Sequence, residues 1–383
     1  MKKVISIVMV IIFTLFSVGC SKTKQEIEKL SVVLAGGFDI NEKGEYIYSA
    51  QILNVNKPAS KTMSNKSSSN VVVFTSKGST PYDAINHMST SVGKNLFLGH
   101  SSYVVVGRRL AENGISLLLD TTLRVASTRP DQPLFVSKGT ALDIIKTVSA
   151  DEKIPANAIG NIVKFQRGKG YATITSRLDM ANELSSKTAA PVTGIIDIEE
   201  RKNADNVFRL AGTGVFKKDK LIGYMDKKET RGMQWIKGNV QSGSLIAYTP
   251  DNKEITFDIL KSKSTVKPVI KNNKITMQIN IKEQANITEL TKDIDLIKNP
   301  EKIKYLNEIQ NRAIKNEVQL ALDAAQKKLR ADVFDFGGNV HRHYPKLWKS
   351  TESKWQNIFP NLKVEVNVDS SIKRPGIISK PIK

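Results

Sequence analysis

The chain opens with an apolar run, Val4 to Phe16, broken only by Ser6 and Thr14 and preceded by Lys2 and Lys3. A polar stretch, Ser21–Lys29, separates it from two segments of strand length. Leu30–Phe38 is nearly all apolar, as in a strand buried on both faces, and Tyr46–Val55 follows a turn at Asn41–Gly44. Lys57–Asn70, rich in Ser, Lys and Asn, predicts a surface loop, and Val71–Thr75 predicts a further strand. Thr80 can cap a helix, Pro81 suits its first turn, and Asp83 complements the exposed amides, so a helix is predicted from Pro81 to about Val92. Ser102–Gly107 reads as a short buried strand, and Gly114–Leu123 and Thr140–Ser149 read as helices. This alternation predicts parallel β-α-β units through about residue 150.

From Val207 to about Ile287 the pattern becomes strand-rich, with polar turns at Lys217–Lys220, Pro250–Lys253 and Lys271–Lys274. The run Lys274–Lys282 alternates strictly, as a strand with one wet face does. A mostly antiparallel sheet is predicted here, interrupted by a short helix at Glu229–Lys237. Asn299-Pro300 then opens the longest helix, to about Arg330, with Ile303, Leu306, Ile309, Ala313, Val318, Leu322, Ala325 and Leu329 on its apolar face. At roughly 45 Å it is long enough to cover a wide sheet; the same stripe would also suit a partner. Ala331–Val368 mixes aromatic residues with a final strand, and the basic end with Pro375 and Pro381 predicts a loose tail.

The composition of the 383 residues, 40% hydrophobic and 25% charged, is that of a globular protein. One cysteine excludes a disulfide framework, and four histidines leave little for a metal centre. That cysteine, Cys20, directly follows the apolar run and Ser17-Val18-Gly19. Residues 1–19 therefore read as a secretory signal peptide, too short to span a bilayer comfortably. Cys20 sits where a bacterial lipoprotein carries its diacylglycerol; the open alternatives are an ordinary signal peptide with an incidental cysteine and a signal anchor. The net charge of +21, on an exported chain, points to anionic phospholipid and not to nucleic acid.

No active-site pattern stands out. His341 and His343 could ligate a metal from a strand, but no carboxylate or cysteine cluster accompanies them. Gly36-Gly37 lacks the surrounding glycines of a dinucleotide loop, and no nucleophile elbow is present. Trp348, Trp355 and Phe359 suit a hydrophobic cluster better than a stacking platform. The reading is a non-enzyme without cofactor or metal, apart from covalent lipid at Cys20. Two Gly-containing turns, around His100 and around Asp335 and Gly337, are candidate recognition points.

Several ordered motifs resemble those of one family. Gly19-Cys20, Gly36-Gly37-Phe38-Asp39, Gln51, Gly99-His100 before Tyr103–Gly107, and Arg124 occur in its N-terminal order. Gly212–Gly223, Glu229-Thr230-Arg231-Gly232, Asp332–Gly337, Tyr344–Trp348, Trp355 and Phe359-Pro360 continue it. The chain resembles the Ger(x)C family, lipid-anchored C subunits of the nutrient receptors that trigger germination in spore-forming bacteria. The resemblance implies an α+β fold of three mixed α/β domains, the C-terminal one a wide antiparallel sheet flanked by helices, including the long one. The boundaries expected are 1–19 signal peptide, 20–200 N-terminal region, 201–370 C-terminal domain and 371–383 basic tail. It also implies two integral-membrane partners, the A and B subunits, at the outer face of the spore inner membrane. The competing reading is a solute-binding lipoprotein of an uptake transporter, which expects two similar lobes around a cleft.

Overall fold

β1 (Leu30–Ile40) is apolar along its length because both of its flanks and both of its faces are covered. It pairs antiparallel with β2 (Tyr46–Leu53) and parallel with β4 (Asn95–Phe97) and β5 (Val104–Val106). The computed structural model describes residues 29–54, 70–125, 127–148, 152, 154–201, 206–271, 274–290 and 301–374. The predicted signal peptide, Cys20, all but Asn70 of the Ser/Lys/Asn-rich loop from residue 55, Asn299-Pro300 and residues 375–383 lie outside the described residues.

Around β1 a ten-stranded mixed sheet is assembled in the order β10-β9-β8-β6-β5-β1-β2-β3. Its other members are β3 (Val71–Gly78), β6 (Pro133–Ser137), β8 (Val192–Glu199), β9 (Val207–Lys217) and β10 (Lys220–Met225), with β7 (Thr175–Ser176) pairing β6. The contact β1–β5 is parallel, as the alternating pattern through about residue 150 predicted; β5–β6 and β6–β8 are parallel too, through strands that the pattern had not marked. Helices cover both faces. α1 (Pro81–Val92), α2 (Arg108–Asn113) and α3 (Ser116–Arg124) bury Met88, Leu110 and Leu118 on one side. α4 (Ala141–Lys146) and α5 (Pro155–Gln166) bury Ile144, Ile145 and Ile159 on the other. The predicted caps form: Thr80 and Thr140 each accept from the amide three residues on, at 3.1 Å. α6 (Arg177–Ser185) follows, and its buried Arg177 donates to the carbonyls of Thr122 in α3 and of Arg129 beyond it.

The second sheet has four strands, β11 (Gly243–Tyr248), β12 (Glu254–Lys271), β13 (Lys274–Leu290) and β14 (Lys363–Arg374), in that order. α7 (Lys227–Lys237) and the long α8 (Glu301–Asp323) pack on it, the latter ending in a π-helical turn at Ala324–Leu329. Three expectations change. β9 and β10 join the large sheet, because β9 pairs antiparallel with β8; the expected boundary at residue 200 falls between two strands of one sheet. β14 runs parallel to β13, so the smaller sheet is mixed. β14 also continues through Arg374, taking in part of the expected tail, since its amides at Ser370 and Ile372 bond Asn311 and Asn307 of α8. Segment 150–206 carries α5, α6, β7 and β8, which the apolar pattern had not singled out.

α8 buries one polar pair against β13: Gln310 Nε2 donates to Glu283 Oε2 at 2.6 Å, and Glu283 is 1% exposed. Burial pushes the Glu283 carboxyl up to about 7. The native state therefore keeps a proton that the unfolded chain releases above the ordinary value of 4.5. Stability should fall as pH rises from about 4.5 to about 7 and level off above. Glu283→Gln removes this titration, and is expected to match the parent at pH 4 and exceed it at pH 8 by on the order of 2–3 kcal/mol. Denaturant unfolding at the two pH values checks it; an equal difference at both would refute the assignment.

Candidate functional site

The glycines and polar residues of the N-terminal motif build one joint. Asp39, at the end of β1, accepts from the first amides of α4, Ala141 N at 2.8 Å and Leu142 N at 3.0 Å. Burial raises its carboxyl, and these two amides at a helix start oppose that rise. Gln51 Nε2 donates to the Ile145 carbonyl at the far end of the same helix, at 2.7 Å. A methyl on Gly37 would lie 2.8 Å from the Ile145 side chain, and one on Gly107 1.8 Å from the Asp39 carboxylate. These positions are small or polar because α4 lies directly on the strands. His100 is exposed in the turn between β4 and β5, with its ring edge-on to Phe97 at 5.3 Å.

Asp335 and Gly337 belong to a loop organised by a different residue, Asp332. Its buried carboxylate accepts from the amides of Phe334, Phe336 and Gly337 and from Trp355 Nε1 at 3.0 Å. Four donors converge on one side chain, and burial still pushes its carboxyl up to about 6. Asp335 adopts a left-handed backbone (φ 56°), caps α9 (Phe336–His343) through Gly338 N, and accepts from Thr188 and Arg342. Thr188 precedes β8, so this contact ties the loop to the large sheet. Gly337 is buried: a methyl there would meet Trp355 Nε1 at 2.8 Å. Trp348 in α10 (Pro345–Thr351) and Trp355 in α11 (Trp355–Ile358) stack edge to face at 5.3 Å, and with Phe359 they are core residues. His341 and His343 fall on α9 and not on a strand. Two apart on a helix they project to different sides; His341 stacks on Trp348 and His343 Nδ1 meets the Asn339 carbonyl.

A second joint links the sheets through α7. Gly232 touches the backbone of α8, where an added methyl would lie 1.9 Å from the Glu317 carbonyl oxygen. The neighbouring side chains use that closeness. Glu317 accepts from Trp235 Nε1 at 2.8 Å and pairs with Arg231 at 3.4 Å. Burial raises the Glu317 carboxyl, while Arg231 and the indole hold it back. Arg231 Nη1 donates to the Tyr171 hydroxyl, which donates to the Ser244 carbonyl of β11. Gln234 Nε2 donates to Thr173, whose hydroxyl meets that of Thr213 in β9. A glycine inside an amphipathic helix was the available signal for this crossing; the roles of Asp332 and Arg231 had no local signal.

Cys20 lies outside the described residues. Among the described residues no group of three His, Cys, Asp or Glu side chains is placed to hold a metal. The candidate residues are thus not gathered in one pocket: His100 sits at an end of the large sheet, Asp335 and Gly337 at the joint beneath the smaller one.

Two family descriptions match the sequence almost end to end. Residues 23–198 match "Spore germination protein N-terminal domain", and residues 211–376 match "Spore germination B3/ GerAC like, C-terminal". The chain belongs to the Ger(x)C family. Spore germination protein B3 of Bacillus subtilis (strain 168) is 24% identical over 370 residues, covering 94% of this chain and 95% of that protein. Spore germination protein KC of the same strain is 23% identical over 380 residues, covering 94% and 93%. The crystal structure of the GerBC protein superimposes with a TM-score of 0.55 at 20% identity, covering 88% of this chain and 96% of that one, which establishes the shared α+β fold. A spore germination role of the GerC kind, and not membership of a known enzyme family, follows for this Ger(x)C protein.

Two substitutions test the joints. Alanine in place of Gly232 would gain about 1 kcal/mol of helix propensity. The clash with the Glu317 backbone should outweigh this and lower stability by about 2 kcal/mol or more; a raised melting temperature would show the crossing to be looser than described. Asp332→Ala strands four donors and is expected to cost about 3 kcal/mol or more, with a red-shifted tryptophan emission as Trp355 loosens.

Proposed function

We propose that this chain is a non-catalytic, lipid-anchored subunit of a spore germinant receptor. On this reading signal cleavage leaves Cys20 at the N-terminus, and its sulfur carries diacylglycerol. The folded part then rests at the outer face of the spore inner membrane beside the integral-membrane A and B subunits. The observation that carries the reading is that germination-family matches cover both halves of the chain, the first beginning just after Cys20. The excess of Lys and Arg (58) over Asp and Glu (37) favours residence against anionic lipid. Tethering keeps the subunit at a high effective concentration near membrane partners, which suits a role in receptor assembly and signal coupling. The solute-binding reading expects two similar lobes; a ten-stranded and a four-stranded sheet with different strand orders favour the receptor subunit.

Affinity purification of a tagged, lipidated copy from detergent-solubilised spore membranes tests the proposal. Recovery of two polytopic proteins, one of them transporter-like, is the expected result. Recovery of an ATP-driven permease, or of lipid alone, would overturn it. Cys20→Ala should abolish lipid labelling and release the protein to the soluble fraction; a variant that stays labelled and membrane-bound would sink the anchor.

A further inference from the structure

The smaller sheet has an open edge. Among the described residues β11 pairs only with β12. In an antiparallel pair, residues bonding the partner alternate with residues whose amide and carbonyl face away. The Ser244 carbonyl receives the Tyr171 hydroxyl at 3.2 Å, so Ser244, Ile246 and Tyr248 form the outward set. Tyr171 occupies the first of these positions, leaving Ile246 and Tyr248 facing outward.

A cleft of about 690 Å³ lies between this edge and α8. Ile246, Tyr248 and Leu320, 49%, 56% and 43% exposed, line it from its two sides, with Ile309 and Ala313 alongside. Three large exposed apolar residues lining one groove mark an interaction surface. Its charge is one-sided: Lys227, Lys228, Arg231 and Arg312 line it against one acid, Glu317. Glu317 is already engaged by Trp235 and Arg231. Arg231 is 4% exposed, and its Nη2 has no hydrogen-bond partner. Its guanidinium lies 4.8 Å from the Tyr171 ring centre, and Lys227 Nζ lies 4.2 Å from the same centre.

We propose that this cleft docks an extended acidic segment of a partner protein, added as a short strand to β11. The outward backbone groups at Ile246 and Tyr248 give main-chain pairing, and alternate side chains of the guest reach the apolar wall. Its carboxylates meet Lys228 and Arg312 at the rim, within the field of Arg231. A basic segment is repelled by the same four cations. A lipid headgroup would use the cations and leave the strand edge and Leu320 unused. The proposal stands whether or not Cys20 carries lipid, and its test does not involve the receptor.

The full chain in detergent is titrated into a fluorescein-labelled, end-blocked octapeptide of alternating Glu and Val, followed by polarisation, beside a Lys/Val octapeptide. Saturable binding of the acidic peptide, about tenfold or more tighter than the basic one, is expected. Ile246→Pro removes the outward amide while sparing the ladder to β12, and should weaken binding by about tenfold or more. Arg312→Glu combined with Lys228→Glu, both exposed positions, should do the same with parent-like melting. No saturable binding, equal affinity for the two peptides, or unchanged affinity in the charge-reversed variant would overturn the proposal. Displacement by free glutamate at matched carboxylate concentration would instead make this a small-anion site and refute strand docking.

Discussion

The approach of α7 to α8 at Gly232 is the constraint on which the C-terminal half depends. Only a hydrogen at that position lets the two backbones meet, and the meeting puts Glu317 within reach of Trp235 and Arg231. From Arg231 the chain of contacts runs to Tyr171 and on to the edge of β11. One missing methyl therefore places a buried ion pair, an aromatic ring and a strand edge. The ion pair itself is not a large source of stability, because desolvation offsets much of its attraction. Its contribution is to fix where α7 sits between the sheets.

The two sheets are thereby parts of one body. β9 and β10 extend the large sheet after the chain has passed residue 200, and α7 follows β10 directly onto the smaller sheet. Thr213, Thr173 and Gln234 carry hydrogen bonds across the seam, and Thr188 with Asp335 carries another. Polar seams of this kind specify one relative placement, since a shifted arrangement would leave buried hydroxyls unpaired. A subunit that transmits a signal between partners would need this stiffness more than it would need a pocket.

Legibility in the sequence followed burial pattern and cap chemistry. β1, α1, α4 and α8 could be drawn from apolar runs and from the Thr80-Pro81 and Thr140 caps, because those signals are local. β9 and β10 could not be assigned to their sheet, since an alternating strand looks the same whichever neighbour it pairs with. β14 was visible as a strand, and its parallel partner was not. Of the residues singled out for function, Gly337 and Asp335 turned out to serve a loop whose centre is Asp332, and a carboxylate's burial cannot be read from its neighbours in the chain. Arg231 likewise lies in one of the ordered motifs, and only the spatial meeting with Tyr171 gives it a role.

β14 carries a consequence for how the protein is made. It fills the fourth place in the smaller sheet by pairing with β13, with Lys363 opposite Thr276, after α8, α9, α10 and α11 have intervened. Such a distant parallel pairing closes slowly, because the loop entropy must be overcome before any of its contacts form. Until the chain has been delivered through about residue 374, β13 has an unfilled side and the lower part of α8 lacks the amides that Asn307 and Asn311 bond. Through that interval β11, β12 and β13 stand as a three-stranded sheet with one side of β13 unpaired. Completion of the fold is thus timed by the arrival of the last strand, with β14 acting as the closing clasp.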